Sequence, residues 1–190
     1  MPYELEDKDE EAAFYEQGSD RAVAVVCTSI LDNRLTALLK AALKQDERVL
    51  PELFRSTGPL GSFGTKIRLA YVLELIPEGI YEDLLKITRI RNDFAHKVTI
   101  KSFEDDDAVR NRIQALRAFS VWKSLEEEYR AEIQQNPQDN NIRLAQSILR
   151  DELETMRDSF RLCVRFCIWH LVTAEKAVTK WKAARPVPTP

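Results

Sequence analysis

Glycine (5), cysteine (3) and histidine (2) are all scarce in this chain of 190 residues, and each scarcity excludes something. With so few glycines, and 8 prolines, long stretches run without punctuation, and no alternation of apolar and polar residues lasts long enough to build a sheet. Three cysteines, Cys27, Cys163 and Cys167, make no disulfide framework, so reduced thiols in a cytoplasmic setting are expected. Positive charge is not in excess either: 28 Lys and Arg stand against 31 Asp and Glu, a net charge of -3 with a pI of about 5.6. A dedicated DNA-binding domain usually carries a basic balance or a basic face. The start, "MPYELEDKDEEAAFYEQG", is acidic and lacks the basic and apolar regions of a secretory signal. The most hydrophobic stretch, "FRLCVRFCIWHLVTA", is broken by Arg161, Arg165 and His170, so membrane insertion is not expected.

The remainder is 44% hydrophobic and 31% charged, the composition of a soluble globular protein. The length suits one domain with a buried core. Apolar residues recur at helical spacing almost throughout. A short helix is predicted within Glu10–Gln17, and Ser19 or Asp20 caps a long one reaching about Lys44. Its buried stripe is Val23, Val26, Cys27, Ile30, Leu31, Leu35, Leu38, Leu39 and Ala42. A turn of helix at Pro51–Phe54 and the loop "STGPLGSFG" follow, then the helix "KIRLAYVLELI", started by Ser62 or Thr65. Pro77 closes that helix and opens another from Glu78 to His96, striped by Ile80, Leu84, Ile87, Ile90 or Arg91, and Phe94. "KVTIKSFEDD" reads as extended, and Asp105 to Asp107 cap a helix from about Ala108. "NPQDNN" is a loop before a last helical region, about Ile142 to Trp181. The expected architecture is an all-α, single-domain helical bundle over residues 19–183. Residues 1–18 form an acidic N-terminal segment and residues 184–190 a disordered tail.

Several groupings bear on chemistry. Gly58, Gly61 and Gly64 sit three apart before a helix carrying Lys66 and Arg68, and a helix N-terminus attracts anions. The lysine and hydroxyl order of a phosphate loop is missing, so a tight interhelical turn is the preferred reading. Cys163, Cys167 and His170 share one helical face, but only Cys27 and His96 remain to complete a metal site. Their neighbours are apolar, so no metal and no cofactor is expected. The helix pair "KIRLAYVLELI" and "EGIYEDLLKITRIRN" has the turn length of a helix-turn-helix. Its second helix, however, begins acidic where base contacts would fall, which makes direct DNA binding the weaker reading.

The segment "RNDFAH" holds Arg91, Asn92, Asp93 and His96. Asn92 and His96 are neighbours on one helical face, and Arg91 lies about 140° around from His96. A histidine moving a proton to or from a ribose oxygen, beside a guanidinium on the phosphate, would suit metal-free RNA cleavage. Equally, Asn92 and His96 can satisfy a helix end while Arg91 pairs with an acid elsewhere. The residues leave both readings open.

Three segments in order, "SDRAVAVVCTSILDNRLTALLKAAL", "LFRSTGPLGSFGTKIRLAYVLELI" and "IYEDLLKITRIRNDFAH", resemble the mannitol operon repressor family over roughly residues 14–104. "RDSFRLCVRFCIWHLV" resembles that family's final helix, and residues 124–150 look like an extension. The resemblance implies a helical bundle and a role in transcriptional regulation, as repressor or co-repressor, without a recognisable DNA-binding motif. Arg91 and His96 also resemble the R-x4-H signature of HEPN domains, which implies a ribonuclease or toxin component with those two residues catalytic. The favoured expectation is a non-enzymatic regulator that works by protein contact, with a transcription factor or a transport component as partner and a homodimer compatible with it. Asp20, Arg21, Asp32, Arg34, Arg91, Asn92, Asp93 and His96 would form one polar cluster between the first long helix and the helix ending at His96. The loop with Gly58, Gly61, Ser62 and Gly64 would border the groove beside it.

Overall fold

Ser19 sets the first long helix. Its hydroxyl accepts a hydrogen bond from Ala22 N at 3.2 Å, satisfying one of the free amides of the opening turn. The helix that follows, α2 (Asp20–Ala42), comes after a short α1 (Lys8–Tyr15), and both are built from the segments that sequence periodicity marks. The computed structural model describes residues 8–15 and 18–184. The acidic opening before Lys8 and the tail after Ala184 therefore lie outside the described residues.

Among the described residues nine helices form and no strand. After α2 come α3 (Val49–Phe54), α4 (Phe63–Val72), α5 (Glu78–His96), α6 (Asp107–Gln114), α7 (Arg117–Gln135), α8 (Asn140–Glu152) and α9 (Met156–Ala183). The largest helix–helix contact joins α2 to α9, and α5 packs against α2, α4, α6 and α9. On α2 the buried apolar positions Val23, Cys27, Ile30, Leu31, Leu35, Leu38 and Leu39 make the expected stripe, with Val26 packed at its edge. On α5 they are Ile80, Leu84, Ile87, Ile90 and Phe94. Phe103 stands between two helices, its ring 4.9 Å from that of Phe94 and 4.9 Å from that of Phe160 on α9. Each such fully buried ring stabilises by roughly 1.5–3 kcal/mol relative to exposure.

By length and composition α2 is the one helix among the described residues apolar enough to cross a membrane, rather than the segment around Cys163. Half of that window is buried in the bundle, and that burial against α9 and α5 accounts for its composition.

Three expectations are corrected. The predicted last helical region, Ile142 to Trp181, is two helices. The chain breaks at Leu153–Thr155, where the Thr155 hydroxyl accepts from Asp158 N at 3.1 Å and starts α9 afresh. The helix "KIRLAYVLELI" stops at Val72. Glu74 takes a left-handed conformation (φ 57), with Leu75 N bonding Ala70 O at 2.9 Å and Glu74 N bonding Tyr71 O at 2.9 Å. That is a helix-ending motif that usually uses glycine. Finally, "KVTIKSFEDD" is a series of turns rather than extended chain, because Ile100 and Phe103 are drawn into the core and the backbone must wind to place both.

Candidate functional site

A hollow of about 490 Å³ lies where α2, the start of α4 and α5 meet. The glycine loop builds one wall. A side chain at Gly58 would put its Cβ 2.3 Å from the Glu52 carbonyl oxygen, and one at Gly61 would lie 2.4 Å from that of Ser56. Only hydrogen fits at either position, so the loop folds flat against α3, with Leu60 N bonding Leu53 O at 2.8 Å. Gly64, in contrast, faces only the Arg68 guanidinium at 3.2 Å. The loop thus delivers Ser62 to the N-cap of α4, where its hydroxyl accepts from Thr65 N at 3.2 Å.

Gly61, Ser62, Phe63 and Gly64 line the hollow from this side. Thr28, Ser29 and Asp32 line it from α2, and Thr88, Arg91 and Asn92 from α5. Behind this surface a buried lysine fixes the geometry. The Lys66 ammonium, with a side chain 6% exposed, donates to Asp32 Oδ1 at 2.7 Å and to Thr36 Oγ1 at 2.9 Å, tying α4 to α2. On the α5 side, Arg91 donates to Asn92 Oδ1 at 3.1 Å.

The eight polar residues expected in one cluster separate into different places. Asp32, Arg91 and Asn92 come together at the hollow, with Gly61, Ser62 and Gly64 of the loop. Asp20 and Arg21 instead hold the turns after α5. Asp20 accepts from Phe103 N at 2.7 Å and from Arg157 Nε at 2.5 Å, and Arg21 donates to the carbonyls of Lys97 and Ile100, both at 3.1 Å. Asp93 pairs with Arg112 of α6 and with Lys97 at 3.0 Å. Arg34 edges a second, shallower hollow beside Lys176 and Lys180. His96 is exposed at the end of α5 and does not line the hollow that Arg91 lines. Gly58 sits behind the loop against α3.

Sequence reasoning missed Lys66 as the buried tie, and Thr28, Ser29 and Thr88 as lining. A signal was present: Thr28, Asp32 and Thr36 recur every fourth residue, a polar row along an otherwise apolar helix. Arg157 and Arg112, the partners of Asp20 and Asp93, carried no local signal.

Cys163 and Cys167 are buried, and His170 on the same face is half-buried. Burial pushes both thiols well above their ordinary range, as it pushes Cys27 up to about 12. Burial, helped by the Arg117 charge, pushes His170 below its usual value. Among the described residues no three His, Cys, Asp or Glu side chains converge as metal ligands would. In the helix pair whose turn length suits a helix-turn-helix, α5 turns Ile80, Asp83, Leu84, Ile87, Ile90 and Phe94 into the protein.

The fold defines the class, an all-α helical bundle. It is similar to the MtlR chain in the X-ray structure of the MtlR–HPr complex from Escherichia coli. That match has a TM-score of 0.61 and 16% identity, over 86% of this chain and 96% of that one. It is also similar to a possible transcriptional regulator, YggD, from Shigella flexneri, with a TM-score of 0.64 and 16% identity over 88% and 98% of the two chains. No individually curated protein sequence matches. The sequence model described as "Mannitol repressor" matches residues 11–171, and the chain belongs to that family. It is an MtlR-like regulator.

Proposed function

We propose that this protein represses transcription indirectly, as a cytoplasmic repressor or co-repressor that docks on another protein and catalyses no reaction. The observation that carries this is the outward face of α5. A recognition helix makes its base contacts from basic and amide residues in its first turns, whereas α5 opens with the exposed Glu78 and Glu82 and turns Ile80, Leu84, Ile87, Ile90 and Phe94 into the bundle. Regulation then runs through a protein partner. The similar fold of an MtlR chain solved with HPr supports a transport-system protein of that kind as the partner. Asp20, Arg21 and Asp93 serve as struts that keep the docking surfaces in register.

The test is direct. Purified protein and the HPr of the same host are mixed and followed by calorimetry, beside a titration with operator DNA at low salt. Saturable binding to HPr without DNA binding is expected. Tight, salt-sensitive DNA binding by the protein alone would overturn the proposal. The ribonuclease alternative is not favoured, because the hollow gathers Arg91 and leaves His96 outside. Incubation with mixed RNA is expected to give no cleavage that a His96→Ala variant abolishes.

A further inference from the structure

We propose that the exposed turn joining α4 to α5 is a docking surface for a protein partner whose contact face is apolar and bordered by lysine and arginine. The inference rests on the reading that this protein works by docking, and it gives that contact a surface and a chemistry.

Apolar side chains seldom stand together in water unless something covers them. Tyr71, Val72 and Leu73 are consecutive, and they are 37%, 75% and 42% exposed. Their position follows from how α4 ends. The left-handed Glu74 turns the chain, and Leu75 N closes the turn on Ala70 O at 2.9 Å. Ala70, Ile76 and Ile80 enter the core, which leaves Tyr71–Leu73 facing outward. Tyr71 is held in place: its ring stacks on that of Tyr81 with centroids 4.4 Å apart, joining α4 to the first turns of α5. An aromatic pair already fixed in this way loses little side-chain freedom on contact, which suits it as an interface anchor.

Charge selects the partner. Glu74 follows Leu73 directly, and Glu78 lies one helical turn from Tyr81. Three cations are nearby, and none is set against either carboxylate. Lys86 sits 3.2 Å from Asp83 and 3.9 Å from Glu82, and Arg68 donates back to Gly64 O at 2.9 Å. Arg117 rests against Gly79, about 200° around α5 from Tyr81. Among the described residues no side chain pairs with Glu74 or Glu78, so the excess negative charge lies beside the apolar residues. Such a rim repels nucleic acid and anionic membranes, and it complements lysine and arginine around an apolar patch. Glu74 gives a second indication. It is the one non-glycine residue at positive φ among the described residues, and glycine would adopt that backbone without strain. The carboxylate is held there against the preference of its own backbone, as happens at functional surfaces.

The experiment titrates the isotopically labelled full chain with three synthetic peptides. One is a cationic amphipathic helix of Leu and Lys, one its anionic counterpart of Leu and Glu, and one a polar peptide of Ser and Lys. Saturable NMR shifts at Tyr71–Leu73, Glu74, Glu78 and Tyr81 are expected with the first alone, weakening as salt is raised. Val72→Asp and Glu78→Lys should each weaken that binding roughly tenfold, while Glu127→Lys on α7, an equal change of charge, leaves it as it is. Glu74→Gly should raise Tm yet weaken binding about threefold, a split that a merely structural glutamate does not produce. Shifts centred elsewhere, equal binding of the anionic peptide, or full affinity in Val72→Asp and Glu78→Lys would each overturn the assignment. HPr is titrated into the same sample. Absence of HPr binding would remove the partner proposed above, and the peptide arms judge this surface independently.

Discussion

Lys66 and Asp32 form an unequal pair, and the inequality gives a quantitative prediction. The lysine side chain is 6% exposed and the aspartate 30% exposed, with 2.7 Å between ammonium and carboxylate. Replacing Asp32 by alanine leaves a buried ammonium with Thr36 Oγ1, at 2.9 Å, as its remaining acceptor. Removing one partner of a buried pair costs about 3–5 kcal/mol, and the surviving hydroxyl contact places Asp32→Ala near the lower end, about 3 kcal/mol. Lys66→Met keeps most of the apolar stem and leaves a carboxylate that water reaches from the hollow, so its cost is about 1–2 kcal/mol. In the double variant no charge is stranded. Its cost should stay near that of Lys66→Met alone, giving a coupling of about 2–3 kcal/mol. Urea unfolding followed by circular dichroism measures all three. In thermal unfolding Asp32→Ala should lower Tm by about 6–12 °C for a chain of this size. Equal costs for the two single variants, or a double variant equal to their sum, would refute the account of which group is buried and why.

Other consequences can be checked in the same way. Glu74→Gly should stabilise the protein by about 0.5–1 kcal/mol in urea unfolding, because the left-handed residue that ends α4 (φ 57) then carries no Cβ. Asp20→Ala should cost about 3 kcal/mol, since it strands Arg157 and the Phe103 amide together, and hydrogen exchange should rise first in the turns at 97–106. His170 should make stability pH-dependent. Its native pKa is depressed, so the unfolded state takes up the proton first, and stability present above the ordinary value of 6.5 is lost as pH falls through the native one. A His170→Gln variant should show a flatter Tm profile across that window, and an unchanged profile would contradict it.

How much was legible beforehand differs between elements. The α2 and α5 stripes could be read because one helical face meets one core, so periodicity in the chain maps directly onto burial. The caps Ser19, Ser62 and Asp106 were within reach for a similar reason, since each acts on an amide three residues away. The end of α4 was missed because Glu74 occupies a position where glycine would have announced the turn. The split between α8 and α9 was missed because Leu153–Thr155 has neither proline nor glycine, and Thr155 is a weaker mark than either. The eight-residue polar cluster failed as a unit for a geometric reason: nearness to an apolar stripe says that a residue borders the core, but not on which side.

Local order in the chain alone determined the helical class, the buried stripes, most caps and the family signature around "GPLGSF" and "IRNDFAH". These depend on contacts between residues a few positions apart. Only the tertiary structure decided that Lys66 is buried against Asp32, that Asp20 reaches Phe103 and Arg157, and that Arg91 opens onto a hollow while His96 does not. Those outcomes depend on how the helices cross, and a rotation of one helix by a fraction of a turn would exchange a strut for a site.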